Sequence, residues 1–526
     1  MAGIECDNWQ ASHYSYQDSL TKIKMNGKLS REIKERLGVK QGHINSSDHY
    51  KVYIGPCLDM LEDAQLGVWI GPLNSGVSGC ADDVFLCTDN PVKLQALIDM
   101  AEHYGSLYRI QYGAKKTKVT ISGPEIDRQY YKDTQPWKMG GQTVEVVENN
   151  EHLGQIVSGS RQEEKNVDLR ILKSRNMLFS LLGPAFSFKC LLSPTVKLHI
   201  YRTFVCPVIR SGLSSLVLKN TTLSPLSIFQ RKVLKGVLQL SKQASTAGIH
   251  FLTGELPIEA LVHRDAFAIF YTIWSNPNSK IYDIVKYLLS CSTENSSTWS
   301  NHMRLLTKQY GLEDPANLMQ KDPPSKSSFK NDLMPRIRAF HENDLRSHPD
   351  PDQKLKYLNV SVIGLSGRHH PALSGVLTVT DVKKSRSHIK MLIGDLFTYE
   401  MKSEQSGGSP HCRLCCEMKN ETISHILTFC DAYSDVRNRI LQESSYLCTK
   451  SQSGIIFSEL LNDSEGLCQF ILDPTSLNLK RRVNLNDPML GSFFQLSRDL
   501  CFSINEKRLK LLKQKHKNLQ SLQPVV

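Results

Sequence analysis

The pair Asp82-Asp83 restricts the local fold more than any other feature of this chain. Two adjacent carboxylates stand between the small residues Gly79-Cys80-Ala81 and the apolar run Val84-Phe85-Leu86. Neighbouring side chains on a strand point to opposite faces, so both carboxylates converge only at a tight hairpin. Such oxygens hold Mg²⁺ between the attacking and leaving oxygens in phosphoryl transfer. The alternative is an ordinary turn or a helix N-cap, because Asp-Asp is common in loops.

The segments around this pair predict a mixed α/β domain followed by a helical region. Pro91–Tyr104 has the apolar spacing of one helix face, between predicted strands at Val84–Cys87 and Lys118–Ile121. After residue 166 an amphipathic helix is expected to end before Gly183-Pro184. Three further helices are predicted with Pro in or near the first turn: Pro194–Val205, Pro225–Leu240 and Pro257–Trp274.

Composition favours an intracellular globular protein. The 526 residues are 40% hydrophobic and 22% charged, which excludes a disordered chain. The formal charge of +12 fits a nucleic-acid partner, and it also fits many proteins without one. Met1–Gln10 has no apolar signal region, and no uncharged apolar run reaches the ~20 residues of a membrane span. The expected location is the nucleus or cytoplasm, with no secretion and no membrane.

A second group of residues has the spacing of a zinc site. Cys412 and Cys415 are separated by two residues, and His425 and Cys430 by four. Both thiolates of one turn can reach a tetrahedral zinc, and the later pair can complete it from the end of a helix. The alternative is buried free thiols and a solvent-exposed histidine, and Cys416 and His411 are possible substitutes. A module this small binds RNA or DNA strands, or is structural.

Four short motifs follow one another in a fixed order between residues 38 and 156. They are Gly38-Val39-Lys40-Gln41-Gly42-His43-Ile44, Gly79-Cys80-Ala81-Asp82-Asp83-Val84-Phe85-Leu86, Tyr112-Gly113-Ala114-Lys115-Lys116-Thr117-Lys118-Val119 and Glu151-His152-Leu153-Gly154-Gln155-Ile156. In this order they resemble the palm motifs of reverse transcriptases from LINE-type (non-LTR) retrotransposons. Ile200–Pro207 and Phe229–Leu234 resemble the thumb helices of the same elements. His388–Gly394 and Arg437 flank the cysteines as in their C-terminal zinc-knuckle region.

The resemblance implies an RNA-directed DNA polymerase, which is a nucleotidyltransferase. Asp82 and Asp83 would then bind Mg²⁺, with Asp82 as the direct ligand. Gln41 and Gly42 would lie against the template base and the incoming nucleotide. The implied partners are an RNA template, a DNA primer and deoxynucleoside triphosphates, and the implied second metal is Zn²⁺.

The same resemblance assigns roles to two later segments. Lys116 and Lys118 fall where the family places basic residues near the triphosphate, and an exposed strand edge is the alternative. Leu153 and Gly154 would form the primer-grip turn.

Two departures from the family pattern bear on activity. Asn45–Tyr50 is polar where the family has an apolar run with Ser-Pro. The family's first aspartate motif should lie upstream of Gly38, and neither Asp7 nor Asp18 sits on an apolar strand. We therefore expect an N-terminally truncated polymerase that lacks the fingers and that aspartate, and whose isolated chain is inactive. The alternative is a catalytically inactive, element-derived protein that binds nucleic acid.

The expected fold is α+β, with five segments. Residues 1–160 would form a partial polymerase palm with a mixed sheet, residues 161–290 a helical thumb-like domain, and residues 291–375 a linker or helical connector. Residues 376–440 would hold the zinc-knuckle region and residues 441–526 a helical basic tail. The last 25 residues contain six lysines and arginines against one acid, which predicts a basic helix that is either solvated or in contact with nucleic acid.

Overall fold

The computed structural model shows a mixed α+β chain, as predicted, that divides into two compact units. The units are Met1–Gln162 and Glu163–Val526. The structure describes residues 6–17, 19–35, 38–39, 44–182, 192–291, 296–347, 354–396, 398, 401, 407–415, 418–476 and 483–521. Gln41 and Gly42, Cys416 and the expected helix end at Gly183-Pro184 lie outside these residues.

The helices described in the first unit are α1 (Cys6–Tyr16), α2 (Ser46–Asp63), α3 (Pro91–Tyr108) and α4 (Glu125–Thr134). Helix α3 begins where the sequence predicts, because the side chain of Asn90 accepts a hydrogen bond of 2.8 Å from the Val92 amide. Pro91 needs no such acceptor at the first position. The helix runs one turn further than predicted and ends with Arg109 in the left-handed conformation.

The strands of this unit are short and pair two by two. They are β1 (Leu20–Thr21), β2 (Lys24–Met25), β3 (Lys28–Leu29), β4 (Ile33–Lys34), β5 (Trp69–Ile70), β6 (Leu73–Asn74), β7 (Val77–Cys80), β8 (Asp83–Leu86), β9 (Lys118–Val119), β10 (Lys138–Met139), β11 (Gln142–Thr143), β12 (Glu145–Val146), β13 (Asn149–His152) and β14 (Gln155–Ser158). All described pairs are antiparallel except β9 with β12. The continuous mixed sheet expected of a palm is therefore not present among the described residues.

A small core between α2 and α3 supports the β7–β8 hairpin. Ile54 and Leu61 of α2 are buried with Leu97 and Tyr104 of α3. Val77 and Leu86 pack against this cluster from the two strands of the hairpin. A second cluster, around Ile98, Val119, Trp137, Met139 and Val144, lies under β9 to β11. Apolar burial of this kind holds the hairpin in place, because the turn itself contributes little.

Helices make up the regular structure that is described after residue 160. They are α5 (Gln162–Leu182), α6 (Pro194–Ile200), α7 (Cys206–Arg210), α8 (Asn220–Leu238), α9 (Thr246–Thr253), α10 (Ile258–Trp274), α11 (Lys280–Cys291), α12 (Trp299–Gln309), α13 (Pro315–Leu318), α14 (Lys326–Ser347), α15 (Val379–Leu392), α16 (Ser434–Lys450), α17 (Phe457–Leu461), α18 (Ser464–Leu472) and α19 (Leu490–Ser521). Short 3₁₀ turns add Leu213–Ser215, Pro371–Leu373 and Asp431–Tyr433, and π turns add Tyr201–Val205 and His425–Phe429.

One hydrophobic core runs through the second unit, from Val167 to Ile504. Polar contacts span it as well: the Ser241 amide donates to Asp395 at 2.9 Å, and His370 lies 3.3 Å from Asp473 with both side chains fully buried. The predicted thumb-like, connector, zinc-knuckle and tail segments thus all contribute residues to one core.

Within the described ranges, no helix has both the length and the apolarity to cross a bilayer.

Candidate functional site

Asp82 and Asp83 lie at the tip of a two-stranded hairpin. Cys80 pairs with Asp83 across the β7–β8 ladder, so the connecting loop is Ala81-Asp82. Ala81 has φ of 53°, a left-handed conformation that is unfavourable for a residue with a Cβ. Both carboxylates belong to exposed residues. The predicted tight hairpin is confirmed, and the helix N-cap alternative is wrong.

Helix α2 closes the back of this hairpin. A Cβ at Gly79 would lie 2.7 Å from Leu58 Cδ1, so the glycine allows the helix to approach the strand closely. Burial, followed by the negative charge of Asp82, raises the pKa of the Tyr50 phenol. Tyr50 therefore belongs to the surroundings of the Asp82 carboxylate, a neighbour that the sequence motif does not indicate.

A second hairpin adjoins the first. Strands β13 and β14 are joined by Leu153-Gly154, with φ of 49° and 77°, so the turn predicted at these residues forms. Leu153 is 59% exposed. The ring of His152, on β13, stacks on Phe85, on β8, with 5.5 Å between centroids. The aspartate turn and the Leu153-Gly154 turn thus belong to neighbouring hairpins, and the primer-holding role stays a prediction.

The two predicted lysines differ in their surroundings. Lys116 lies in an exposed turn that its amide closes by donating to the Gly113 carbonyl at 2.8 Å. Lys118 is on β9 and forms an ion pair with Glu145, its register partner on β12. The Lys118 ammonium therefore has a carboxylate partner within the sheet.

One group of described residues can hold a metal ion with three or more Cys, His, Asp or Glu side chains. It consists of Cys412, Cys415, His425 and Cys430, whose ligand atoms all lie within 4.8 Å of one another. This is the set that the sequence spacing predicts. Among the described residues, no third such side chain joins Asp82 and Asp83 in a group of this kind. The geometry therefore gives no support for Mg²⁺ at the hairpin.

The distances within the cysteine–histidine group fit a tetrahedral zinc. Cys412 Sγ and Cys430 Sγ are 3.9 Å apart, and Cys415 Sγ and His425 Nε2 are 3.4 Å apart. Zinc–ligand bonds of about 2.3 Å to sulfur and about 2.0 Å to nitrogen require edges of about this length. Cys412, His425 and Cys430 are buried, so the site is closed on most sides. Such closure is typical of structural rather than catalytic zinc.

Local backbone geometry explains how these residues meet. The Cys412 amide donates to the Lys419 carbonyl at 2.8 Å, and His411 forms a bridge with Asn420, so a short loop carries Cys412 and Cys415. The Cys430 amide donates to the His425 carbonyl at 2.9 Å and closes a π turn. In an α-helix, residues five apart point about 140° away from each other. The wider π turn brings His425 and Cys430 to the same side.

The protonation of the group also suits a metal. Cys412 and Cys430 share one hydrogen-bonding proton, which lowers the pKa of the Cys412 thiol and raises that of the Cys430 thiol. The Nδ1 atom of His425 is buried with no hydrogen-bond partner among the described residues. Zinc requires deprotonated thiols and a neutral imidazole. The residues therefore fit a zinc ion, which would replace the shared proton.

The C-terminal helix is attached to the loop that carries the first two cysteines. Arg508 on α19 forms a buried bidentate ion pair with Glu421, with N–O distances of 2.8 and 3.1 Å. Lys515 donates to the Arg413 carbonyl at 2.5 Å, and Lys507 pairs with Asp435 at 2.6 Å. Part of the basic segment therefore binds the loop between Cys412 and Glu421, called the zinc loop below for the metal that its cysteines could hold. Glu421 could not be recognised from the sequence, since nothing near it in the chain marks it.

The sequence matches no protein-family model and no curated protein. Functional conclusions for this chain therefore depend on its residues and their geometry.

Proposed function

We propose that this chain derives from the RNA-directed DNA polymerase of a LINE-type retrotransposon. The observation that carries the proposal is the pair of adjoining hairpins, one with exposed Asp82 and Asp83 and the other with the Leu153-Gly154 turn. An exposed carboxylate pair beside a protruding apolar turn suits the end of a primer strand, whose 3′-hydroxyl must lie near the metal ligands.

Each hairpin has a distinct part in this proposal. The Asp82 and Asp83 carboxylates would hold Mg²⁺, which neutralises the charge of the incoming triphosphate when it is bound. Leu153, at the other tip, would press on the sugar of the last primer nucleotide. Lys116 is exposed and could contact a phosphate, whereas Lys118 would first have to leave Glu145.

A second candidate is nucleic-acid binding without catalysis. It is favoured by the absence of a third metal-binding side chain beside Asp82 and Asp83 in the described part of the chain. The zinc loop and α19 would then provide the binding surface, through lysines such as Lys510 and Lys513. Contacts of this kind release counterions, so affinity would fall steeply with salt.

The test places a photo-crosslinking amino acid, p-benzoylphenylalanine, at Leu153. On a DNA primer annealed to an RNA template, we expect crosslinks to the last nucleotides of the primer. The matched control carries the same group at Met25, which is 72% exposed beside the β2–β3 turn. That turn also has two left-handed residues, Asn26 and Gly27.

Crosslinks confined to the primer end from position 153, and scattered or absent from position 25, would support the polymerase assignment. Equal crosslinking from both positions, or crosslinks spread along the template, would favour non-catalytic binding. No crosslink at any salt concentration would refute the proposed role of this hairpin.

A further inference from the structure

The second unit contains a cavity that four arginines line. Its volume is about 260 Å³, and Arg202, Arg210, Arg264 and Arg338 contribute to its wall. They come from four elements: the π turn Tyr201–Val205, the end of α7, α10 and α14. Guanidinium groups repel one another at short range, so carboxylates or a bound anion stabilise a wall of this composition.

Carboxylates balance only part of this charge. Arg202 pairs with Glu255 and donates to the Thr253 carbonyl at 2.7 Å. Arg210 and Arg264 share one carboxylate, Asp265, with N–O distances of 2.7 and 2.9 Å to the same oxygen. A third carboxylate, Glu342, lies beside the wall and accepts a hydrogen bond of 2.7 Å from the Leu365 amide. Among the described residues, four guanidinium groups therefore still outnumber the carboxylates around the cavity.

Among the described residues, Arg338 is the member of the set that has no partner. It forms neither an ion pair nor a hydrogen bond with any described residue, and its Nε atom is buried without an acceptor. The Nε atom of Arg210 is also buried without an acceptor. Native proteins rarely leave buried N–H groups unpaired, because water that is lost must be replaced by another acceptor. Two residues of one cavity wall therefore have N–H donors without an acceptor among the described residues, and a bound anion could supply it.

We propose that this cavity binds a phosphate group. Guanidinium groups match phosphate oxygens with paired N–H donors, and the excess of positive charge around the cavity favours an anion. The cavity is smaller than the ~300–1,000 Å³ of sites for drug-sized ligands, which suits a terminal phosphate better than a whole nucleotide. Leu261, Met334 and Leu365 form apolar parts of the wall and limit the water that competes for the donors.

The site does not depend on the polymerase assignment, because none of its residues belongs to the aspartate hairpin or the zinc group. Two sources of the phosphate are compatible with the same chemistry: free inorganic phosphate and the 5′-phosphate of an oligonucleotide. The cavity wall is partly open, since the side chains of Arg202, Arg210 and Arg264 keep 26–30% of their surface exposed.

The experiment is calorimetric titration of the full chain with three probes at constant ionic strength. The probes are inorganic phosphate, a 5′-phosphorylated dinucleotide and the same dinucleotide with a 5′-hydroxyl. We expect Arg338→Gln to weaken phosphate binding about ten-fold or more, because one charge-assisted contact is lost. Arg336→Gln is the matched control: it lies on the same helix, pairs with Asp332 and does not line the cavity. Arg338→Lys keeps the charge and should recover only part of the affinity.

Binding of inorganic phosphate, lost in Arg338→Gln and kept in Arg336→Gln, supports a site for free phosphate. Binding of the 5′-phosphorylated dinucleotide alone, with the same response to the variants, supports a site for nucleic-acid ends. Binding that is equal for the phosphorylated and hydroxyl dinucleotides, or that both variants affect alike, would overturn the proposal. So would the lack of binding to any probe by a chain that circular dichroism shows to be folded.

Discussion

At Gly254 the chain leaves helix α9 in a left-handed conformation, with φ of 68°. A Cβ at this position would overlap the carbonyl oxygen of Arg368. We expect Gly254→Ala to lower the free energy of unfolding by about 2–4 kcal/mol, from backbone strain and displacement of the neighbouring loop. The midpoint of urea unfolding measures the change.

Gly367 provides the matched control for this substitution. It also has a left-handed φ, 82°, but a Cβ there would meet nothing within 4 Å. Gly367→Ala should therefore cost only about 1 kcal/mol. Equal losses in the two variants would mean that the contact with Arg368 is unimportant.

Asp82 and Asp83 lead to a prediction about DNA synthesis. Polymerase chemistry requires carboxylates from two strands to hold metal ions about 4 Å apart. Among the described residues, Asp82 and Asp83 have no further partner of this type. We expect no extension of a DNA primer on an RNA template above a protein-free control, with Mg²⁺ as the metal. A fluorescent primer resolved on a gel gives the measurement.

If the chain does extend the primer, the Asp82→Asn variant shows whether its own carboxylates are responsible. Synthesis by the chain that disappears in Asp82→Asn would contradict the prediction and show that another residue completes the metal site. Synthesis that survives in the variant would come from a contaminating polymerase.

The residue motifs that could be predicted are those with local rules. A two-residue hairpin and a Cys-x2-Cys loop are set by neighbours in the chain, so Asp82, Asp83, Cys412 and Cys415 could be placed from the sequence. Arg338 and Glu421 could not, because decisive neighbours lie far away in the chain, such as Arg202 for Arg338 and Arg508 for Glu421. The sequence near a residue does not show which distant residues will surround it in the fold.

The stability of the zinc loop and that of helix α19 are predicted to depend on each other. We expect one zinc per chain by elemental analysis, and its loss in the double variant Cys412→Ser, Cys430→Ser. Removing zinc should raise amide exchange both in residues 412–430 and in the Lys507–Lys515 part of α19, because Arg508 and Lys515 bind the zinc loop. Exchange in α10 should not change.

Cys448→Ser serves as the control, since Cys448 is a buried free thiol outside the metal group. That variant should retain its zinc. If the double variant keeps both its zinc and the protection of α19, the four residues are ordinary buried side chains and the metal assignment is wrong.

Helix boundaries that depend on local sequence features can be predicted, and those that depend on tertiary packing cannot. Helix α10 ends at Trp274 as predicted and begins one residue after Pro257, because periodicity and the proline are local features. The sequence predicts that helix α8 begins at Pro225, but in the structure it begins at Asn220. Leu223, before the proline, is 2% exposed. Tertiary burial extends the helix past the usual position of a proline, at the cost of one backbone hydrogen bond.

At the scale of the whole molecule, buried histidines predict sensitivity to acid. Burial lowers the pKa of His250, His341 and His388 to about 4 and that of His263 to about 3, from 6.5. The unfolded chain therefore binds more protons below pH 6.5 than the folded chain does. Stability is present in full above about pH 6.5 and is lost as the pH falls towards 4, by up to about 1.4 kcal/mol per pH unit for each group.

Urea unfolding midpoints measured between about pH 4.5 and 8 test this prediction. The same series in the Cys412→Ser, Cys430→Ser variant separates the histidines from zinc release, which acid also promotes. A midpoint that does not change with pH in that variant would show that these imidazoles are not held neutral.

The core shared from Val167 to Ile504 has a consequence for biosynthesis. Phe493, Phe494 and Leu500 of α19 are buried in it, so the apolar faces of the earlier helices stay uncovered until the ribosome has made α19. Contacts across such sequence separations slow folding and lengthen the exposure of apolar surface. A nonsense codon that removes α19 should therefore yield a chaperone-bound or aggregated product, even though the aspartate hairpin and all four residues of the candidate metal group would still be translated.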